Sequence, residues 1–354
     1  MGDIVLTIPV IQQFKKEHPD AILHFLTKER YKDIFLTILD RDSIRFINTS
    51  KFRELLRMVG ILKQENYDEV YDFHNSLRSR YIRLRLRSTV KKIRHLKKQY
   101  LKRFLLIVFK INLYKEIKSV IQAYAETAGL NYDKKTKWFY PVSPAEIRQT
   151  IGILKGMQVA VPVKVLKNPD ISLRDGKKNP NRKIFWLSVM AASVWFTKRW
   201  PSHYIVEVIN GLRKYASLLE IFLLGGNNER QLNETIVQSV NTACKIHNVA
   251  GMLKIPETAA LLSGSDLLLT NDTGIMHIAT GLSLPTIAIF GSTAEEFGFY
   301  PYGKHAEVLE VKLPCRPCAS KGRNKCPKGH FRCMMDIKPE AVLEKIIQKI
   351  EARS

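Results

Sequence analysis

Four residues that could bind an anionic ligand lie close together in the chain, at Asp272, Thr273, Gly274 and His277. They follow the apolar run DLLLTN and precede a second apolar run, an order typical of a strand, a tight turn and a helix start. A helix start offers free N–H groups and a partial positive charge, which suits phosphate. Asp272 would cap the helix, Thr273 would bond a phosphate oxygen, and Gly274 would let the ligand approach the backbone. His277, one turn later, would face the same ligand. An ordinary capped helix with a core histidine is the alternative, and these residues alone do not decide between the two.

Two further stretches place polar residues after an apolar run. ASVWFTKRWP (192–201) puts Thr197 and Lys198 between a strand and a helix start, where a lysine would suit a diphosphate. An exposed Lys-Arg pair ahead of a helix is the alternative. LLGGNNER (223–230) ends another strand, and Glu229 there could accept hydrogen bonds from ribose hydroxyls.

Strands and helices alternate along the chain, which predicts the elements that carry these residues. In the second half we predict strands at 183–189, 219–226, 266–272 and 286–292, with helices at 201–216, 228–240, 256–265, 274–282 and 338–352. In the first half we predict strands at 21–27, 43–49 and 68–74, with helices at 8–19 and 51–65. This alternation predicts an α/β fold with parallel sheets covered by helices on both faces.

The domain boundary is predicted where the chain becomes rich in Pro, Lys, Asn and Asp, at 165–182. The predicted domains are therefore 1–175, an acceptor-binding Rossmann-like half, and 176–354, a nucleotide-sugar-binding Rossmann-like half. The second half would also carry a Cys-rich segment at 315–333 and the C-terminal helix.

The net charge of +24 implies an anionic partner. Fifteen Lys and Arg fall between Arg78 and Lys118 against the single acid Glu116, and aliphatic residues are interleaved with them. The pattern suits a basic amphipathic surface on anionic lipid, with solvated helix faces as the alternative. No helix-turn-helix, zinc-finger or RNP signature supports nucleic acid as the partner.

The sequence also carries signals on localisation. No apolar run approaches the ~18–20 residues that span a bilayer. The start of the chain has no basic leader, and Asp3 is acidic, so it does not match a signal peptide. We therefore expect a cytoplasmic protein, associated peripherally with the inner face of the cytoplasmic membrane.

Taken in order, several stretches resemble glycosyltransferase family 9, the ADP-heptose:lipopolysaccharide heptosyltransferases. The blocks at 271–293 (NDTGIMHIATGLSLPTIAIFGST) and TKRWP (197–201) are the specific ones, and 2–27, 67–81, 223–230 and 315–342 support them. The resemblance implies a GT-B architecture, with two Rossmann-like domains facing a cleft. It implies metal-independent, inverting transfer of heptose from ADP-heptose to the inner core of lipopolysaccharide.

The resemblance also implies roles for individual residues. Asp3 would be the general base, and Lys198 would stabilise the leaving diphosphate. His74 and Arg78 would contact the acceptor. The donor would be bound by Thr197, Glu229, Asp272, Thr273, Gly274 and His277.

The chain departs from the family at two places. It has Ala191-Ala192 where the family usually has Pro-Gly ahead of the TKRWP block, and it begins MGD where relatives carry a first β-strand. We therefore expect about ten to fifteen further residues upstream, forming an apolar strand that ends at Gly2-Asp3. A non-catalytic or truncated sugar-nucleotide-binding relative, and a family member with another sugar donor, remain alternatives. A nucleic-acid-binding protein is a third, supported by charge alone.

Four cysteines form the pattern C-x2-C-x7-C-x6-C at Cys315, Cys318, Cys326 and Cys333. The C-x2-C pair is a usual zinc-ligand pair, which makes a structural zinc site one interpretation. Reduced structural thiols, and redox or iron–sulfur chemistry, are the others. Disulfides are not expected in a cytoplasmic protein.

Overall fold

The computed structural model describes residues 1–35, 38–39, 43–46, 52–132, 138–159 and 184–353. Two compact units are present. The first unit comprises Met1–Arg103 and Glu116–Trp138, and the second comprises Phe104–Lys115 and Phe139–Ser354. The boundary predicted at 165–182 lies outside the described residues.

The first unit carries two separate pairs of parallel strands. Its strands are β1 (Phe25–Thr27), β2 (Ile44–Phe46), β3 (Glu69–Asp72) and β4 (Lys92–His95). Its helices are α1 (Gly2–Val5), α2 (Ile8–Glu17), α3 (Phe52–Gln64), α4 (Leu77–Leu86) and α6 (Val120–Ala128), and α5 (Tyr100–Val108) begins in it. β1 pairs with β2 and β3 with β4, and no described strand joins the two pairs. Asp3 lies in helix α1.

A small apolar core holds the first unit together. The apolar sides of α3 and α4 meet through Leu55, Val59, Leu62, Ile82 and Leu86, all buried. Because those positions recur at helical spacing, the sequence was sufficient to predict α3. Strand β4 was not predicted, since its residues KIRH lie within the basic stretch and show no continuous apolar run.

The second unit is built on one six-stranded parallel sheet. Its strands are β5 (Phe185–Met190), β6 (Leu219–Leu223), β7 (Lys245–Asn248), β8 (Leu267–Asn271), β9 (Thr286–Phe290) and β10 (Ala306–Glu310). Their order is β10-β9-β8-β5-β6-β7, with every pairing parallel. This is the doubly wound dinucleotide-binding order, whose direction reverses between β5 and β8.

Helices alternate with those strands. They are α7 (Pro144–Gly156), α8 (Ser202–Gly211), α9 (Arg230–Ser239), α10 (Ile255–Gly264), α11 (Gly274–Gly281), α12 (Arg332–Met335) and α13 (Pro339–Glu351). The predicted helix at 201–216 ends earlier, because α8 stops at Gly211 and a 3-10 helix follows to Leu218. Helix α7 was not predicted, although Ser143 and Glu146 form the capping box that marks its start.

The candidate site lies beyond the carboxyl ends of the central strands. In open α/β sheets, ligands bind beyond the carboxyl ends of the strands, at the point where the strand order reverses. In this unit that point lies beyond β5 and β8, where the chain continues into the stretches around Lys198 and Asp272.

Candidate donor site

A buried ion pair lies beyond the reversal point of the sheet. The Lys198 ammonium is 2.5 Å from Oδ2 of Asp272, and the two side chains are only 12% and 7% exposed. Thr293 donates a hydrogen bond of 2.8 Å to the same oxygen of Asp272. Since an unpaired charge would be costly in this environment, the carboxylate both fixes the lysine and compensates its charge. The structure thus brings together two residues that the sequence placed at separate strand ends.

Lys198 is carried by a short 3-10 turn, Phe196–Lys198, which Thr197 anchors. The Thr197 hydroxyl donates to Oγ of Ser292 at 2.9 Å and accepts the backbone N–H of Arg323 at 2.8 Å. The Thr197 N–H in turn donates to the carbonyl of Arg323 at 3.0 Å. Thr197 was predicted to bind the donor, and the structure places its hydroxyl within this buried network, where it holds the turn beneath Lys198.

Gly291 makes the close approach of that turn possible. A Cβ at this position would lie 2.8 Å from the carbonyl oxygen of Thr197 and 2.9 Å from Cε of Met334. Both distances are shorter than real Cβ contacts, so a side chain would displace backbone and core together. The end of β9 can therefore lie against the lysine-bearing turn only with glycine here.

Replacing Gly291 by alanine is expected to destabilise the second unit by about 1–3 kcal/mol, as overpacking typically does. It should also weaken ADP binding, because the Thr197 carbonyl that must move belongs to the turn that carries Lys198. Denaturant unfolding and calorimetric titration with ADP measure the two effects. Gly152→Ala is the matched control, since a Cβ there meets nothing within 4 Å. Equal stability and ADP binding in the two variants would show that the close contact at position 291 does not require glycine.

Asn271, for which the sequence predicted no role, holds three chain segments together. Its Nδ2 donates to the carbonyl of Ala191 at 2.7 Å and to that of Met190 at 3.3 Å. Its Oδ1 accepts the backbone N–H of Trp200 at 3.0 Å. The sequence carried a signal for this role, because an amide side chain that is buried at the end of an apolar strand needs hydrogen-bond partners. The side chain thereby fixes the ends of β5 and β8 and the residues just before α8 relative to one another.

Helix α11 starts immediately after the ion pair. Its N-cap is Thr273, with an extended backbone and no side-chain capping bond, and Gly274 is its first residue. The expectation that Asp272 caps this helix is wrong, because the carboxylate is committed to Lys198 and Thr293. His277 lies one turn further along and is buried. Because α11 begins directly after Asp272, its first N–H groups lie beyond the same carboxyl ends of the strands as Lys198.

Glu229 lies beyond the neighbouring strand β6, in the 3-10 turn Asn227–Glu229. Its Oε2 accepts the backbone N–H of Gly226 at 2.8 Å, which holds the carboxylate above the strand end. A Cβ on Gly225 would come within 2.7 Å of the Glu229 Cβ, so glycine is needed for this close turn.

The remaining predicted residues belong to the first unit. Asp3 is exposed in the first turn of α1, and His74 and Arg78 are exposed after β3. Asp72 builds the turn that carries His74, because its Oδ1 accepts the backbone N–H groups of His74 and Asn75 at 2.9 and 2.7 Å.

Arg83 has a structural partner. Its Nε lies 2.9 Å from Oδ2 of Asp72, its Nη2 donates to Oδ1 of Asn75 at 2.9 Å, and both partners are buried. Arg83 therefore stabilises the turn after β3 and cannot be counted among the solvated cations of the basic stretch.

The four clustered cysteines are free thiols. Burial raises the pKa of Cys333 to about 11, and the neighbouring Cys318 adds to the shift. Burial also raises the pKa of Cys318. In the described part of the chain, no three Cys, His, Asp or Glu side chains are arranged to hold a metal ion. Zinc therefore stays a prediction from spacing alone, which metal analysis of freshly purified, reduced protein tests.

Comparison with known proteins identifies a family and several relatives. The family model for glycosyltransferase family 9 (heptosyltransferase) matches residues 55–328. Lipooligosaccharide heptosyltransferase 2 of Campylobacter jejuni is 31% identical over 192 residues, which cover 52% of this chain and 56% of that protein. Lipopolysaccharide heptosyltransferase 2 of Escherichia coli K12 is 23% identical over 188 residues, 50% of this chain and 52% of that protein. The chain spans about half the length of these curated relatives.

Solved structures share the fold over nearly the full length. A family 9 glycosyl transferase from Veillonella parvula superposes with a TM-score of 0.73 at 15% identity, covering 99% of this chain and 94% of that one. ADP-heptose lps heptosyltransferase II of E. coli gives a TM-score of 0.69 at 17% identity, covering 100% and 97%. These likenesses confirm the predicted α/β fold class of GT-B type.

Proposed function

Because the chain belongs to glycosyltransferase family 9, we propose that it transfers heptose from ADP-heptose to the inner core of lipopolysaccharide. In this proposal the transfer inverts the anomeric centre and uses no catalytic metal. The single observation that carries the proposal is the buried Lys198–Asp272 pair beside the start of α11, at the reversal point of a dinucleotide-binding sheet.

The donor diphosphate would lie against Lys198 and the N-terminus of α11. An ammonium has three donors, and the bond to Asp272 occupies one of them, so the others remain for phosphate oxygens. The unpaired N–H groups of the first helical turn and the helix dipole add further stabilisation of negative charge. Glu229, held above the end of β6, would accept hydrogen bonds from the ribose hydroxyls.

The chemistry follows from that arrangement. The acceptor hydroxyl oxygen attacks the anomeric carbon, and the bond from that carbon to the diphosphate breaks with its electron pair leaving on ADP. Lys198 and the start of α11 stabilise the growing charge on the leaving group. Asp3 would take the proton of the attacking hydroxyl, with His74 and Arg78 contacting the acceptor. Attack from the face opposite the leaving group inverts the centre.

An assay of purified protein with ADP-heptose and a panel of truncated core acceptors tests the proposal. Transfer to one inner-core acceptor, with ADP released in equal amount, is the expected result. Transfer only from a different sugar nucleotide would replace the donor in the proposal. ADP binding without transfer to any acceptor would instead support a non-catalytic sugar-nucleotide-binding relative.

The acceptor is an anionic glycolipid, so the proposal includes a cytoplasmic protein bound peripherally to the inner membrane surface. Among the described residues no helix combines the length and apolarity needed to cross a bilayer. The exposed cations of the basic stretch would contact lipid headgroups, at about 1 kcal/mol for each cation near the surface. Nucleic acid is not a partner in this proposal.

Charge reversal at two exposed cations of this stretch, Arg85→Glu with Lys97→Glu, is expected to lower sedimentation with anionic vesicles by about tenfold or more. The attraction is electrostatic, so binding of the unaltered protein through these residues should weaken as salt is raised. Arg213→Glu with Lys214→Glu changes the net charge equally at exposed positions in the second unit and is the matched control. An equal loss in the two double variants would indicate a net-charge effect only.

A further inference from the structure

The second unit displays a run of apolar side chains that are about half exposed. Phe104, Val108, Phe109, Ile111 and Leu113, called here the apolar ridge, are each between 45% and 59% exposed. Single exposed apolar residues are ordinary, but here five lie within ten residues, and the rings of Phe104 and Phe109 meet edge-on with centroids 5.9 Å apart. Clustered exposed apolar residues mark interaction surfaces.

The two polar residues between the members of the ridge, Lys110 and Asn112, are exposed but bond to other parts of the protein. The Lys110 ammonium donates to the carbonyls of Ile107, Cys315 and Pro317 at 2.8, 3.0 and 2.7 Å, which uses all three of its donors. Asn112 donates from Nδ2 to Glu296 at 2.8 Å. These bonds fix the backbone of the segment against the second unit, while its five apolar side chains stay about half exposed.

Cationic side chains lie on the Cys-rich segment whose carbonyls Lys110 contacts. Arg323 donates from Nε to the carbonyl of Cys318 at 2.9 Å, next to the Pro317 carbonyl that Lys110 contacts. Lys328 is exposed on the same Cys-rich segment. Residues 315–335 contain six Lys and Arg and no Asp or Glu.

We infer that the apolar ridge inserts into the interfacial layer of an anionic bilayer while the cations of residues 321–328 contact the lipid headgroups. Apolar side chains flanked by exposed Lys and Arg are the combination that interfacial membrane binding requires. A second copy of the chain fits less well, because pairing of two ridges would bring two sets of like charges together. This inference deepens the proposed function, since it rests on a lipid-anchored acceptor.

The same Cys-rich segment reaches the donor site. Its Arg323 backbone bonds Thr197 on the turn that carries Lys198, and a Cβ on Gly322 would lie 2.5 Å from that of Trp195. The segment thus joins the ridge to the donor-binding turn within one unit. This gives the cysteine-rich motif a positioning role.

The test compares sedimentation with two kinds of vesicle, one of phosphatidylcholine with phosphatidylglycerol and one of phosphatidylcholine alone. Phe109→Ser with Ile111→Ser should lower the partition of the full chain onto the anionic vesicles by about tenfold or more, since each buried apolar side chain contributes substantially. The loss should persist at high salt, unlike that caused by reversing Arg85 and Lys97. Ile22→Ser with Leu218→Ser removes two exposed apolar residues elsewhere and should leave partition unchanged.

Two further measurements separate this inference from the proposed function. Transfer from ADP-heptose to a soluble, deacylated core acceptor should be the same in the ridge variant and the unaltered chain. Failure of that transfer in the unaltered chain would refute the proposed function and leave the vesicle comparison valid. Partition unaffected by Phe109→Ser with Ile111→Ser would overturn the inference. A dimer that this variant converts to a monomer would also overturn it, because the ridge would then be covered by a second copy.

Discussion

Lys198→Ala is expected to lower kcat by about 10²-fold or more, the usual effect of removing one donor that stabilises transition-state charge. The ammonium is buried, so its interaction with a leaving diphosphate would be stronger than in water. ADP binding should fall as well, because the variant leaves the Asp272 carboxylate beside the diphosphate position without its cation. Steady-state kinetics and calorimetric titration with ADP measure the two effects.

The structural part of this effect can be separated from the chemical part. Breaking a buried ion pair by removing one partner destabilises a protein by about 3–5 kcal/mol. Removing both partners, in Lys198→Ala with Asp272→Ala, should restore part of that stability but none of the turnover. Lys345→Ala, which breaks a less buried ion pair with Glu307 in the same unit, is the control and should keep full turnover. If Lys198→Ala retains more than about a third of the turnover, the lysine has no role in departure of ADP.

Asp3→Asn is expected to lower transfer by about 10²–10⁴-fold, the range that a general base contributes. Asparagine keeps the size and polarity of the side chain but cannot take the acceptor proton. The residues proposed to bind the donor all belong to the second unit, whereas Asp3 lies in α1 of the first, so ADP binding should persist unchanged.

Asp20→Asn removes another exposed carboxylate of the first unit and is the control, which should leave transfer intact. Transfer and ADP binding are measured on the same preparations. A fall in ADP binding together with transfer would indicate loss of folding rather than loss of a base. Full transfer by the Asp3 variant would place the base at another residue.

The amino-acid sequence was sufficient to predict the main elements of the second unit. Strands β5, β6, β8 and β9 are buried and consist mostly of apolar residues, so each is recognisable in the sequence even though Glu220 interrupts β6. The two edge strands were not predicted. β7 reads KIHN and β10 reads AEVLE, because a strand with one open edge is less completely buried and carries polar residues.

The sequence also singled out the polar residues of the candidate site, but it did not show which of them touch. Lys198 and Asp272 are far apart in the chain, and they meet only because β5 and β8 are neighbours in the sheet. Hydrophobic periodicity reports whether a segment is buried, and it carries no information on strand order. For that reason the capping role expected of Asp272 was wrong, and the bonds of Asn271 were missed.

Charge shows the same division between sequence and tertiary structure. The sequence alone determined that the chain is strongly basic and that its cations concentrate in one stretch. Only the tertiary structure showed that Arg83 is paired with a buried carboxylate and that Lys110 is bound by three carbonyls. The reason is that a formal charge is fixed by residue type, whereas its exposure depends on the partners that folding brings within a few ångströms.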